Sequence, residues 1–298
     1  MRSAKPKFIL IGSLLLLVVA AIVVWIIGAL LSAPANRAIG SLPLDLKGNE
    51  VQFASDSGTT IHGWLIPGRR GAGAVVLMHG VRASRLDMLG RARFFSAAGF
   101  TVLLFDFQAH GESPGQRITF GYLESRDARA AAQFLRTSAP GEKIGVLGVS
   151  LGGVSTLLAT PGLKADAFIF EMVYPTFDQA VGDRLAIRLG GWSKVLTPLL
   201  TKQLKLRTGV SSQDLRPIDH VADLKQPKLF IAGSEDLHTT LAESQELFAR
   251  AGEPKELWVV NGAKHQDLHA FSAAEYERRV LAFFERYLGS QTNIAGKR

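Results

Sequence analysis

KIGVLGVSLGGVSTLLAT, residues 143–160, changes character in the middle. Its first half, KIGVLGVS, is an apolar run without a polar face, the pattern of a strand buried on both sides. From Leu151 onward the propensities turn helical. Ser150 stands at the junction between Gly148 and Gly152, which lack a Cβ and let strand and helix approach closely around a sharp turn. The same Gly-x-Ser-x-Gly spacing recurs at Gly111–Gly115, inside HGESPG at 110–115. One physical requirement separates the two. A Ser on such a turn is useful as a nucleophile when the next residue's backbone N–H can meet the negative charge developing on the oxygen of the attacked carbonyl. Leu151 has that N–H. Pro114, after Ser113, has none, and GQRITFG beyond it offers no immediate helix start. Ser150 is expected to be the nucleophile and Ser113 a loop residue.

Reading outward from this junction, apolar strands alternate with helices. VQFASDSGTTIHGWLI (51–66) predicts a hairpin around Ser57-Gly58. AVVLMHG (74–80) predicts a buried strand, and Ser84-x-x-Asp87 a capped start for a helix over RLDMLGRARFFSAAG. TVLLFDF (101–107) predicts a strand, and residues 122–137 a helix with Leu123, Asp127, Ala131 and Phe134 on one face. Beyond the opening stretch, DAFIFEMV (166–173) and KLFIAGS (228–234) read as strands. A helix at 239–250, the strand ELWVVNG (256–262) and a helix at 273–288 follow. The expected class is α/β, with a mostly parallel central sheet covered by helices on both faces.

The N terminus carries a different signal. Phe8–Leu31 is an uncharged run of about 36 Å as a helix, enough to cross a hydrocarbon core of about 30 Å. A signal peptide has a shorter apolar region, of about 7–15 residues, so length favours an uncleaved transmembrane helix although Ala33-Pro34-Ala35 resembles a cleavage site. Arg2, Lys5 and Lys7 precede the run and Arg37 follows it. The positive-inside rule then places residues 1–7 in the cytoplasm and the domain on the exported side. The expected organisation is a cytoplasmic segment 1–7, a membrane helix 8–31, a linker 32–48, one domain at 49–289 with a cap insertion at about 176–225, and a tail 290–298.

The chain has 298 residues, 47% of them hydrophobic, enough to bury a full core. It contains no Cys, which excludes disulfides, thiolate nucleophiles and Cys-based metal sites. Its net charge of +8 owes four units to Arg2, Lys5, Lys7 and Arg37. No basic run with interleaved aromatics appears elsewhere, so nucleic acid is not an expected partner.

In a parallel α/β sheet, chemistry gathers at the carboxyl ends of the strands. Ser150, Asp236 and His265 all stand there, in the chain order nucleophile, acid, base. His269 competes with His265, which is closer to its strand, and Glu235 with Asp236, whose side chain should point differently. The second donor to a developing oxyanion is expected from the N–H of Val81, after Gly80, joining that of Leu151. His79 reads as structural, Asp106, Gln108 and His110 as loop hydrogen-bonding groups, and Asp127 as a satisfied buried acid.

These stretches resemble the α/β-hydrolase superfamily over about residues 50–288. LMHG, FDFQAHGES, GVSLGG, PKLFIAGSED and PKELWVVNGAKHQDL carry the likeness, which is strongest to the membrane-anchored abhydrolase-domain and serine-aminopeptidase-like branch. The resemblance implies a Ser150–Asp236–His265 triad, an oxyanion hole at Val81 and Leu151, and no cofactor. The chain departs from the family pattern at Val81, where a polar residue is common, at Gln108, where Arg is, and at Lys264, where Gly is. The implied activity is cleavage of ester or thioester bonds in small-molecule or lipid-like acyl substrates. The alternatives are a serine peptidase and a non-enzymatic interaction protein, which would be expected to lack a triad member. By the same resemblance RLAIRLGGWSKVLTPLLTKQLKLRTG (184–209) is the cap. It is basic and acid-free, which fits either a solvated cap face or a surface resting on anionic headgroups.

Overall fold

The computed structural model of the protein describes residues 5–289, so residues 1–4 of the expected cytoplasmic segment and the tail 290–298 lie outside the described residues. Helix α1, Lys5–Ser32, includes a 23-residue stretch, Leu10–Ser32, long and apolar enough to cross a membrane. A signal sequence would have the same properties.

Strands β1 (Asn49–Ala54) and β2 (Thr60–Ile66) pair antiparallel around a turn in which Gly58, at φ +91°, donates its N–H to Ser55 O. β3 (Ala74–Met78) follows. The expected cap at Ser84 is present: Asp87 accepts from the Ser84 N–H at 2.9 Å and the Ser84 hydroxyl accepts from Leu86 N. The first turn, Arg85–Met88, is 3₁₀, and α2 proper runs Leu89–Ala98. Then come β4 (Thr101–Phe105), α3 (Glu124–Ser138), β5 (Ile144–Val149), α4 (Leu151–Leu158) and β6 (Ala167–Glu171). Helices α5 (Phe177–Leu189) and α6 (Ser193–Thr208), in the span read as a cap, come next. They are followed by β7 (Lys228–Gly233), α7 (Leu241–Arg250), β8 (Lys255–Val260), α8 (Leu268–Phe271) and α9 (Ala273–Leu288).

The eight strands form one sheet in the order β8-β7-β6-β5-β3-β4-β2-β1, parallel except for β2, which runs against both neighbours. Successive side chains go to opposite faces. Val75 and Leu77 of β3 join Phe95 of α2 and Val280 and Phe284 of α9 on one side. Val76 and Met78 join Ala131 and Leu135 of α3 and Val154 of α4 on the other. Both faces are dry, which is why the strands read as unbroken apolar runs. In α9 the buried residues Tyr276, Val280, Phe283, Phe284 and Leu288 keep helical spacing.

Two contacts join the N-terminal part of the chain to this frame. Residues in the span read as a linker dock on the domain: Ala35–Asn36 pair with His110–Gly111, and the Asn36 amide donates to Ser113 O at 2.8 Å. The end of α1 packs on α6, where Gln203 Nε2 donates to Val24 O at 3.0 Å and the Arg207 guanidinium lies 3.8 Å from the Trp25 ring centroid.

Candidate active site

The turn at Ser150 is as tight as its glycines require. A Cβ on Gly148 would stand 2.5 Å from Gly153 N, and one on Gly152 would stand 2.4 Å from Met78 O. Ser150 itself sits at φ +48°, ψ −109°, a conformation that costs a non-glycine residue about 1–3 kcal/mol. Its N–H donates to Glu171 O at 2.8 Å, which anchors the turn to β6. The Ser150 hydroxyl is buried and makes no hydrogen bond among the described residues.

Ser113 is the opposite case. Its hydroxyl donates to Asp106 O at 2.7 Å and accepts from His62 N of β2 at 2.9 Å, so both capacities are used in tying the loop to the sheet. It is fully buried.

The structure brings Ser150 and His265 to the wall of one cavity of about 720 Å³, together with Gly80 and Val81. His265 Nδ1 lies 2.7 Å from Asp236 Oδ2. Asp236 Oδ1 accepts from the N–H groups of His238 and Thr239 at 2.8 and 2.9 Å, so this buried carboxylate is held by three partners. His269 is turned elsewhere, with Nε2 2.8 Å from Glu277 Oε1, and Glu235 is exposed.

The two candidate oxyanion donors occupy different kinds of backbone. Leu151 is the first residue of α4, so its N–H has no intrahelical partner. Val81 follows Gly80 on the cavity wall. Buried His79 accepts from Phe107 N at 3.1 Å through Nε2, which leaves its Nδ1–H to donate to Gly80 O at 2.7 Å. A trans peptide directs C=O and N–H oppositely. Fixing Gly80 O on His79 therefore sets the direction of the Val81 N–H. Burial, then the neighbouring His110, push the His79 pKa well down and keep this ring neutral.

Asp106, Gln108 and His110 stay off the cavity wall. Asp106 pairs with buried Arg85, Gln108 Nε2 donates to Glu124 at 2.7 Å, and His110 Nδ1 lies 2.9 Å from Gln108 O. Asp127 accepts from Ser55 Oγ at 2.6 Å and from Gln108 N at 2.9 Å, and burial raises its pKa to about 7.

The structure also places residues on and beside the cavity wall that the sequence did not single out. His238 stands two residues after Asp236, a position that could have drawn attention, with its ring centroid 5.3 Å from that of His265. Arg82 carried no signal. It donates to Leu30 O and Ala33 O at 3.2 and 3.1 Å, tying the loop beyond Val81 to the end of α1. Arg91, also on the cavity wall, binds Glu171 through two N–H groups, at 3.2 and 2.7 Å, and Asp267 at 2.9 Å. Burial works against the Arg91 charge, but Glu171, Tyr276 and Asp267 outweigh it and hold its pKa well above the ordinary value. This guanidinium thus connects the residue that anchors Ser150 with the loop after His265.

The family model described as serine aminopeptidase, S33, matches residues 70–215. YqkD of Bacillus subtilis is 26% identical over 234 residues, 76% of each chain. The α/β hydrolase domain-containing protein WAV2 of Arabidopsis thaliana is 27% identical over 264 residues, 82% of this chain and 80% of its own. The solved structure of the Pyrococcus furiosus esterase Pf2001 superposes with a TM-score of 0.72 at 23% identity, covering 87% of this chain and 99% of its own. The chain has the α/β-hydrolase fold, and its sequence is similar to members of that superfamily.

In this hydrolase the Arg91–Glu171 pair makes a stability test. Arg91→Met should destabilise the fold by about 3–5 kcal/mol in urea unfolding, because Glu171 is left charged and buried. Arg91→Met combined with Glu171→Leu should recover part of that loss, since the orphaned charge is gone. A double variant less stable than the single one would show that the pair is not what fails.

Proposed function

We propose that this hydrolase cleaves carboxylic ester or thioester bonds of acyl, lipid-like substrates by way of an acyl-enzyme. The observation that carries the reading is the Asp236–His265 hydrogen bond beside a strained, buried Ser150 whose hydroxyl is free. Ser150 Oγ attacks the acyl carbonyl while His265 Nε2 takes its proton. Asp236 holds Nδ1–H and stabilises the imidazolium, and the N–H groups of Val81 and Leu151 receive the oxyanion. Collapse expels the alcohol or thiol, which takes the proton from His265. Water then hydrolyses the acyl-enzyme by the same steps. A fluorophosphonate probe tests the reading directly. It should label the wild type at Ser150, and an unlabelled folded protein would refute an activated serine.

The serine-aminopeptidase match supports a peptidase as the second reading. A free amino terminus needs an available carboxylate, and Asp87 and Asp267, the two on the cavity wall, are each paired with an arginine. This favours the esterase.

We infer that α1 is a retained anchor with the domain on the exported side. Cleavage after Ala35 would remove the carbonyls of Val24, Leu30 and Ala33 that Gln203 and Arg82 bind, together with Ser32 O, which accepts from Ile118 N. The mass of the mature protein should therefore be that of the full chain, and protease added to spheroplasts should reach the domain. A mature mass lacking residues 1–35 would overturn the anchor.

The cap reading carries its own test. Trp192, Val195 and Leu199 are exposed beside Lys194, Lys202 and Lys205, an apolar and basic edge suited to a bilayer of anionic lipid. Each lysine near such a surface contributes about 1 kcal/mol. Changing the three lysines to Gln should lower turnover of esters in anionic vesicles more than turnover of short soluble esters. Equal losses would leave the cap a structural role alone.

A further inference from the structure

Three arginines line the cavity over Ser150. Arg91 is paired with Glu171 and Asp267, and Arg93 with Asp45 at 2.6 Å. Asp87 is paired in turn with Arg37 at 3.3 Å. Arg184, from cap helix α5, is different, having no carboxylate partner among the described residues. Its Nη1 donates to Ala180 O at 2.8 Å and to His238 O at 3.2 Å, which pins the guanidinium across the gap between the cap and the loop that carries Asp236. Its other N–H groups have no protein acceptor among the described residues. A guanidinium held at one corner and unpaired elsewhere presents donors in a fixed fork, the arrangement that suits a carboxylate or phosphate. Burial lowers the pKa of the neighbouring His238, and Arg184 and His265 lower it further against Asp236, which raises it.

We propose that Arg184 binds an oxyacid anion, carboxylate or phosphate, carried by the substrate a few bonds from the scissile carbonyl. This names the substrate class for the esterase reading above and rests on it. Acyl compounds with a negatively charged end are preferred over neutral ones, and a free amino terminus is disfavoured.

The test compares matched substrates on the full-length protein in detergent. On the acyl side, p-nitrophenyl hemiadipate is set against p-nitrophenyl hexanoate, which replaces the terminal carboxylate by a methyl group. On the alcohol side, a lysophosphatidate is set against the monoacylglycerol of the same chain. In at least one pair the wild type should favour the anionic member in kcat/KM by about tenfold or more, the scale of a charge-assisted hydrogen bond. That ratio should fall towards one in Arg184→Met, be partly kept in Arg184→Lys, and shrink as salt is raised. A preference in the first pair alone puts the anion on the acyl group, and in the second alone on the leaving group. Wild-type ratios at or below one in both pairs, or a ratio that Arg184→Met leaves intact, would overturn the proposal. Wild-type hydrolysis itself is scored separately: no cleavage of any of the four esters would overturn the esterase reading.

Discussion

Ser150→Ala is expected to lower hydrolysis of p-nitrophenyl esters by about 10⁴- to 10⁶-fold and to abolish fluorophosphonate labelling, as expected for loss of a nucleophile that works as a unit with its base. Ser113→Ala should keep both. Its cost should appear in unfolding instead, at about 1–3 kcal/mol, because the His62 N–H loses its buried acceptor. The contrast is sharp because both serines are buried in the same sequence pattern. They differ in backbone: Ser150 is followed by a residue with a free N–H on a strained turn, Ser113 by Pro114. A labelled, active Ser150→Ala would move the nucleophile elsewhere, and an inactive but folded Ser113→Ala would point to where.

Asp236→Asn should cost about 10⁴-fold in kcat with little change in fold. The Asn carbonyl can still accept from His238 N and Thr239 N, as Asp236 Oδ1 does. Its NH₂ would then face His265 Nδ1 as a donor. That drives the imidazole proton to Nε2, the atom that has to accept from Ser150. Glu235→Gln, at an exposed position, should remain within a fewfold of wild type, as should His269→Ala, whose imidazole is engaged with Glu277. Full activity in Asp236→Asn together with loss in Glu235→Gln would transfer the acid to Glu235.

Most of the fold was legible in the sequence because its elements are signalled locally. The buried strands β3, β4, β5, β6 and β7 are apolar runs bounded by turn residues, and the capped start at Ser84 is written in four consecutive positions. The docking of Ala35–Asn36 on His110–Gly111 was not legible, because two-residue pairing leaves no periodicity to read.

Within the candidate site, local chemistry separated Ser150 from Ser113, since the absence of an N–H at Pro114 and the glycines at 148 and 152 act over a few bonds. Strand-end placement also nominated Asp236 and His265, because a parallel sheet delivers the ends of its strands to one edge. The sequence did not contain which distant side chains share the cavity. Arg184 meets the carbonyl of His238 across 54 residues, Arg91 meets Glu171 across 80, and Arg82 meets Leu30 across 52. Each of these arginines sits among other charged residues with no pattern to distinguish it, and its partner is chosen by how cap, sheet and anchor helix pack. Hydrophobic periodicity and turn chemistry act along the chain and so determined the elements and the elbow. Charge pairing acts through space at a few ångströms, and only the tertiary structure decided which guanidinium on the cavity wall was left without a carboxylate partner.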